Sequence, residues 1–233
     1  QGGDGGWGFW QYEPSDPWLT ANIVLAMRAQ QDLEGEGVPF DVSYTLTQAV
    51  NYLYPEMVSI YPKDVPLDQG WQLDRQAFLI YALAEAHADV LVGIETMLDV
   101  RERLSPEARA LLVLALPAGD PLAQPLIDDL TSIADVSATG ASWAATESTY
   151  RLFGSDTRTT SIVLAALLKT DAENPLAPNV VRWLMIARKA DAWETSQETA
   201  WALKALSDWA QHTDELRGQY DFSVRLNGAD LLR

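Results

Sequence analysis

Side chains that commonly do chemistry are sparse in this sequence of 233 residues, and their spacing narrows the field further. There is no cysteine, which removes thiol nucleophiles, disulfides, Cys-ligated zinc and iron–sulfur clusters. Histidine occurs only at His87 and His212, each at the end of a helical pattern. An imidazole there is favoured by the negative end of the helix dipole, so both read as capping or surface residues. Two separated histidines with no His or Cys beside them do not make a zinc site. Asp128-Asp129 superficially resembles an acidic diphosphate–magnesium motif, but Leu-Thr-Ser follows with no third carboxylate, and the pair reads as the wet face of an amphipathic helix. No Asp-x-Asp-Asp cluster supplies a cyclisation acid, and no carboxylate pair stands out for glycoside chemistry. No catalytic, cofactor-binding or metal-binding residue is assigned.

The most unusual stretch is Gln1-Gly2-Gly3-Asp4-Gly5-Gly6-Trp7-Gly8-Phe9-Trp10. As a phosphate cradle it lacks the Lys-Ser/Thr that should follow and the strand that should precede. It reads as a turn whose glycines permit positive φ and whose aromatics anchor the loop. Trp7, Phe9 and Trp10 are also the candidate contact residues, as an aromatic patch lining a site or meeting another domain.

These residues sit in an acidic, globular composition: 48% hydrophobic, 21% charged and a net charge of −17. That balance argues against nucleic acid, which needs a basic face. Apolar runs reach only Ala77–Ala84 and Leu111–Ala118, far below the roughly 20 residues of a spanning helix. Gln1-Gly2-Gly3-Asp4 has neither the basic end nor the apolar stretch of a secretory leader. A chain that opens on Gln1, inside a loop, is expected to come from something larger.

Leu and Ala occur 31 times each and β-branched runs are scarce, which favours helix almost throughout. One class of helix carries a single apolar stripe: Val42, Leu46, Ala49, Leu53 and Met57; Leu91, Ile94 and Leu98; Leu122, Leu126, Leu130 and Ile133. A second class is apolar on every side: Ala77–Ala84, Ile162–Leu168 and, interrupted only by Thr20 and Asn22, Leu19–Met27. A helix greasy all round must be covered all round, so the two classes predict two concentric layers.

The buried class also repeats. Small-x-x-x-x-Ala-Leu/Met occurs at Ala21…Ala26-Met27, Ala77…Ala82-Leu83, Ser161…Ala166-Leu167 and Ala200…Ala205-Leu206. The longest gap has room for another helix pair, with Leu111–Leu116 as its inner member. Loop tryptophans precede these helices: Trp7 and Trp10, then Trp71, Trp143 and Trp193. They are expected to plug the ends of the bundle. Ser15-Asp16-Pro17 and Ser105-Pro106-Glu107 read as capped helix starts, and the Pro-rich stretches at 62–66, 117–121 and 174–178 as links. Alternation over Tyr220, Phe222, Val224 and Leu226 before Asn227-Gly228 predicts a strand entering a hairpin turn. The expected division is a partial helical domain over 1–213 and the start of a β domain over 214–233.

Gln-x-x-Asp-Gly-Gly-Trp loops between concentric helix pairs describe the α/α toroid of terpene cyclases, prenyltransferase β subunits and complement-like thioester domains. The chain most resembles the thioester domain of bacterial α2-macroglobulins. The likeness rests on Asp4–Trp10 followed by Asp16–Ala21, on Thr159–Leu167 and Asn179–Met185, and most strongly on Trp193-Glu194-Thr195-Ser196-Gln197-Glu198-Thr199-Ala200-Trp201-Ala202-Leu203. It implies an all-α toroid with a short β segment at the C-terminus, within a periplasmic or cell-surface protein that traps proteases and contacts them through the intact molecule. In that family a Cys–Gln thioester within Cys-x-x-Gln captures the attacker. Without Cys, no thioester residue carries over; the motif is expected roughly 50–100 residues upstream in a parent protein. The family's six helix pairs against about four and a half here imply uncovered apolar surface and self-association of the piece. The other reading is a toroidal enzyme of the cyclase or polysaccharide-processing kind, with an acidic cavity.

Overall fold

Ser105 shows how the sequence starts its helices: its hydroxyl accepts the Ala108 N–H at 3.0 Å and Pro106 occupies the first turn of α5. Asp16 does the same for α1, accepting the Leu19 N–H at 2.7 Å ahead of Pro17. Ser155 and Thr195 cap the helices at 156 and 196. The computed structural model describes residues 1–10, 12–32, 41–150, 152–213, 224–226 and 229–232.

The helices are α1 (Pro17–Asp32), α2 (Ser43–Val58), α3 (Trp71–Glu85), α4 (Leu91–Leu98), α5 (Pro106–Ala115), α6 (Ala123–Ser132), the single turn α7 (Glu147–Tyr150), α8 (Asp156–Thr170), α9 (Ala177–Ala187) and α10 (Ser196–His212). Helices α1, α3, α5, α8 and α10 pack each on the next, while α2, α4, α6 and α9 lie against them from outside. Gln197 at the start of α10 donates to the Asn22 side chain of α1 at 3.4 Å and brings the inner row back on itself. The inner helices run parallel. Their starts meet, with Asp74 of α3 bound to Ser105 and Glu107 of α5 bound to Arg158 of α8. Their far ends meet too: Arg28 of α1 donates to the Glu85 carbonyl of α3, and Lys169 of α8 to the Leu114 carbonyl of α5.

Burial follows the two predicted classes. Residues 77–83 of α3 and 161–167 of α8 are buried throughout, and 110–114 of α5 fill the expected fifth inner place. In α2 the buried residues are Ala49, Leu53 and Met57. The expectation departs from the structure in four places. Helix α1 is covered on one side only: Thr20, Ala21 and Val24 are buried but Ala26 and Ala29 are open. Trp71 begins α3 instead of lying in a loop. Leu91 and Ile133 lie at helix ends and are exposed, so Gly93, Ile94 and Met97 form the buried face of α4. A small hairpin, β1 (Asp135–Ser137) with β2 (Gly140–Ser142), stands where the sequence reading assigns no element. Gly140 allows it, at φ 134 with its Cα side only 2.3 Å from the Asn179 carbonyl where a Cβ would stand. The C-terminal hairpin is present as β3 (Val224–Leu226) paired antiparallel with β4 (Ala229–Leu232); its turn at 227–228 and the expected strand start at 220–223 lie outside the described residues.

The residue just before each small position of the repeat ties an inner helix to the connection that precedes it. Thr160 Oγ1 accepts the Trp143 N–H at 3.1 Å and donates to the Trp143 carbonyl at 3.3 Å. Thr20 does this for Trp7 at 2.9 and 3.5 Å, and Thr199 for Trp193 at 3.2 and 3.5 Å. The indoles complete the plug: Trp143 Nε1 donates to the Leu130 carbonyl at 2.8 Å and Trp193 Nε1 to the Leu184 carbonyl at 3.0 Å. In α3 the place is taken by Gln76, whose amide donates to the Met57 carbonyl at 2.8 Å. In α5 it is Arg109, which donates to the Arg101 carbonyl at 3.2 Å. Trp143 and Trp193 therefore fix the ends of α6 and α9 to the next inner helices, α8 and α10. Thr160→Val keeps the shape but strands the buried Trp143 amide, and should lower unfolding free energy by about 1–3 kcal/mol. Urea unfolding checks this against the exposed control Thr47→Val, expected within about 0.5 kcal/mol of the parent.

Candidate functional site

The inner helices start around a closed polar cluster. Three residues before the small residue of each repeat, in the first turns of the inner helices, stand Trp18, Asp74, Glu107, Arg158 and Gln197. Glu107 Oε1 lies 2.9 Å from Arg158 Nη1, and its other oxygen accepts the Thr159 hydroxyl at 3.3 Å. Arg158 also donates to the Leu152 carbonyl at 3.2 Å and lies over the Phe78 ring, 5.8 Å from its centroid. Asp74 accepts the Ser105 hydroxyl. Asp74, Glu107 and Arg158 are all at most 2% exposed, so no substrate reaches them.

Local structure helps to hold the two carboxylates of this buried cluster. Asp74 and Glu107 lie in the first turns of α3 and α5, where helix dipoles favour a carboxylate. Burial still dominates at Glu107. It pushes the carboxyl above its ordinary value, the Arg158 charge opposes the shift, and Asp74 reinforces it.

The glycine loop flanks this end. Asp4 accepts the Gly6 N–H at 3.1 Å and the Ser15 hydroxyl at 2.8 Å, and the Ser15 bond is the main cause holding its carboxyl below the usual range. Gly5, at φ 93, sits so close to α2 that a Cβ would stand 2.4 Å from the Gln48 carbonyl oxygen. Of the three aromatics expected to anchor the loop, only Trp7 packs on the core. Phe9 and Trp10 are 55% and 74% exposed. Trp18 is stacked beneath, between Phe78 at 6.1 Å and Phe153 at 5.3 Å.

A half-open cavity of about 470 Å³ lies beside the cluster, bordered by Asp68, Trp71, Arg103, Ser105 and Glu147. The Ser105 hydroxyl is committed to Asp74 and to the α5 cap, and neither histidine is near. His87 sits just past α3 at φ 61, 3.2 Å from Arg28, and His212 ends α10, 3.5 Å from Glu173. Asp128 is solvated, while Asp129 pairs with Arg101 at 3.0 Å. Among the described residues no group of three His, Cys, Asp or Glu is placed to hold a metal ion.

The buried cluster is what reading the sequence missed. Its signal was available: a charged residue recurs three positions before Ala77, Ala110 and Ser161, inside helices otherwise too apolar to carry one.

The sequence matches no protein-family model, and it matches no curated protein. Solved structures share the fold. Salmonella alpha-2-macroglobulin reacted with methylamine superposes with a TM-score of 0.63 at 19% identity, over 88% of this chain and 13% of that one. Trypsin-activated alpha-2-macroglobulin from Escherichia coli gives 0.62 at 15% identity, over 91% and 14%. A native E. coli alpha-2-macroglobulin structure running to the C-terminus gives 0.59 at 18%, over 90% and 32%. The all-α fold of this chain is therefore that of a segment of bacterial alpha-2-macroglobulins, and the chain spans about an eighth of the length of the Salmonella and trypsin-activated E. coli chains it matches.

The cluster yields a prediction about pH. Because the folded state raises the Glu107 pKa above 4.5, it binds that proton more tightly than the unfolded chain does. The contribution is full below the unfolded value and is lost as pH rises toward the folded one. Arg158→Met leaves Glu107 unpaired and should cost about 3–5 kcal/mol at pH 7, with a smaller loss near pH 4.5, where the carboxyl is more protonated. Urea unfolding at both pH values checks it; an equal loss at both would mean Glu107 does not titrate as described.

Proposed function

We propose that the chain is the helical scaffold of the thioester-type domain of a bacterial α2-macroglobulin-like, protease-trapping protein, and that it carries no thioester itself. The observation that supports this most is the shared fold, which runs through nearly the whole chain in order. Sequence blocks at Asp4–Trp10, Thr159–Leu167 and Trp193–Leu203 agree with it. On this reading the partners are other domains of a parent protein and, through the intact molecule, target proteases. The place is periplasmic or at the cell surface, and the helical domain over 1–213 precedes a β domain that starts within 214–233.

The exposed Phe9 and Trp10 are the residues we assign to domain contact, since large aromatics are enriched at such interfaces. The open side of α1, with Ala26 and Ala29 exposed, is where an isolated piece would self-associate. Asp74 and Glu107 are sealed and engaged, so neither serves as the cavity acid that a toroidal enzyme would need.

The test is retention of a protease by the parent protein that contains this segment. After incubation with trypsin, the enzyme should co-elute with the parent on gel filtration and lose activity against casein. Trypsin that elutes free and fully active would overturn the proposal. A Cys-x-x-Gln upstream predicts in addition that the complex survives denaturing electrophoresis.

A further inference from the structure

The far ends of the inner helices are built differently from the sealed starting end. Four residues beyond each small position of the repeat stand Leu25, Tyr81, Leu114, Ala165 and Lys204, and eight beyond stand Ala29, Glu85, Lys169 and Asp208. These residues border two adjoining hollows at the mouth of the helical ring. One, of about 480 Å³, lies between α1, α3 and α10 and includes Leu25, Arg28, Ala29, Tyr81, Trp201 and Lys204. The other, of about 330 Å³, shares Tyr81, Glu85 and Lys204 and adds Lys169, Asp208 and His212. The Tyr81 and Trp201 rings meet at 5.8 Å and floor the mouth.

We propose that this mouth is a binding site for a small amphiphilic carboxylate, its apolar body on Tyr81, Trp201 and Leu25 and its anionic head toward Lys169 and Lys204. The volume falls in the range of small-molecule sites, which combine an apolar lining with a few convergent polar groups. The charge is unusual for this chain. Against a net −17, two of the four lysines and Arg28 gather here. Among the described residues that border the hollows, the carboxylates are Glu85 and Asp208.

Helix C-termini attract cations without any ligand, and Lys169 indeed donates to the Leu114 carbonyl. An ammonium has three donors, so one carbonyl leaves capacity for a carboxylate. Half-burial also pushes the Lys169 amine below its ordinary pKa, the mark of an ammonium short of water. Lys204 lies 2.9 Å from Asp208 on one exposed face, a pair worth little by itself. The site is independent of the proposed function and sits at the opposite end of the ring from the glycine loop.

Octanoate is the probe, titrated calorimetrically into the 233-residue chain, with octylamine as the charge-reversed control. Saturable one-site binding of octanoate with none of octylamine is expected, and Lys169→Gln with Lys204→Gln together should weaken it about tenfold or more. Should the double variant fail to fold, acetylation by acetic anhydride with mass spectrometry reads the same site. Octanoate should slow modification of Lys169 and Lys204 while leaving Lys63 and Lys189 unchanged, since these pair with Asp99 and Glu194 at the surface. No saturable binding, equal binding of octylamine, undiminished binding by the folded double variant, or uniform acetylation would each overturn the proposal.

Discussion

Parallel inner helices impose the constraint on which the rest depends. Because the inner helices run parallel to one another, their N–H ends gather at one end of the inner row and their carbonyl ends at the other. Several charged residues of the inner row follow that division, though Glu85 and Asp208 stand with the cations at the far end. Asp74 and Glu107 stand at the starting end, and Arg28, Lys169 and Lys204 at the far end. Arg158 is the exception at the starting end. It is held there because two carboxylates buried together need a counter-charge more than the dipoles disfavour one.

The same parallel arrangement explains why one register serves every inner helix. Each inner helix is entered from an outer helix on the same side, so each needs a tie at the same height. Thr20, Thr160 and Thr199 supply it with a hydroxyl that both accepts and donates. Gln76 and Arg109 supply it with longer side chains, where the preceding connection carries no loop tryptophan to meet. One residue later the small side chain lets neighbouring helices approach. Ala21, Ala77, Ala110 and Ser161 are fully buried at that place, whereas Ala200 is open because α10 faces the gap toward α1.

What was legible in the sequence follows from which interactions are local. Pro106 after Ser105, the stripe Ala49, Leu53, Met57 and the unbroken run 77–83 each encode their own outcome within a few turns, and the structure bears them out. Coverage is not local. Leu19–Met27 is as apolar as the other inner runs, yet α1 is open on one side because no helix lies there among the described residues. Leu91 and Ile133 fit a stripe by period but sit where their helices end, beyond the reach of the core. The ion pair of Glu107 with Arg158 joins residues far apart in sequence. Only alignment of the repeats puts both at the same height.

The two ends of the ring differ in what they can do. At the starting end the charges of Asp74, Glu107 and Arg158 are buried, while the aromatics Phe9 and Trp10 are exposed. Such an end holds shape. At the far end the charges border open volume over the Tyr81–Trp201 floor, so water or a solute must complete their solvation. Structures of 15–19% identity keep this fold, so helix register tolerates extensive change of side chains. Whatever is particular to this chain therefore resides in residues that the register positions but does not require. Lys169 and Lys204 are of that kind: the helix C-termini would accept any cation, or none, whereas an anion seated on the aromatic floor would need both.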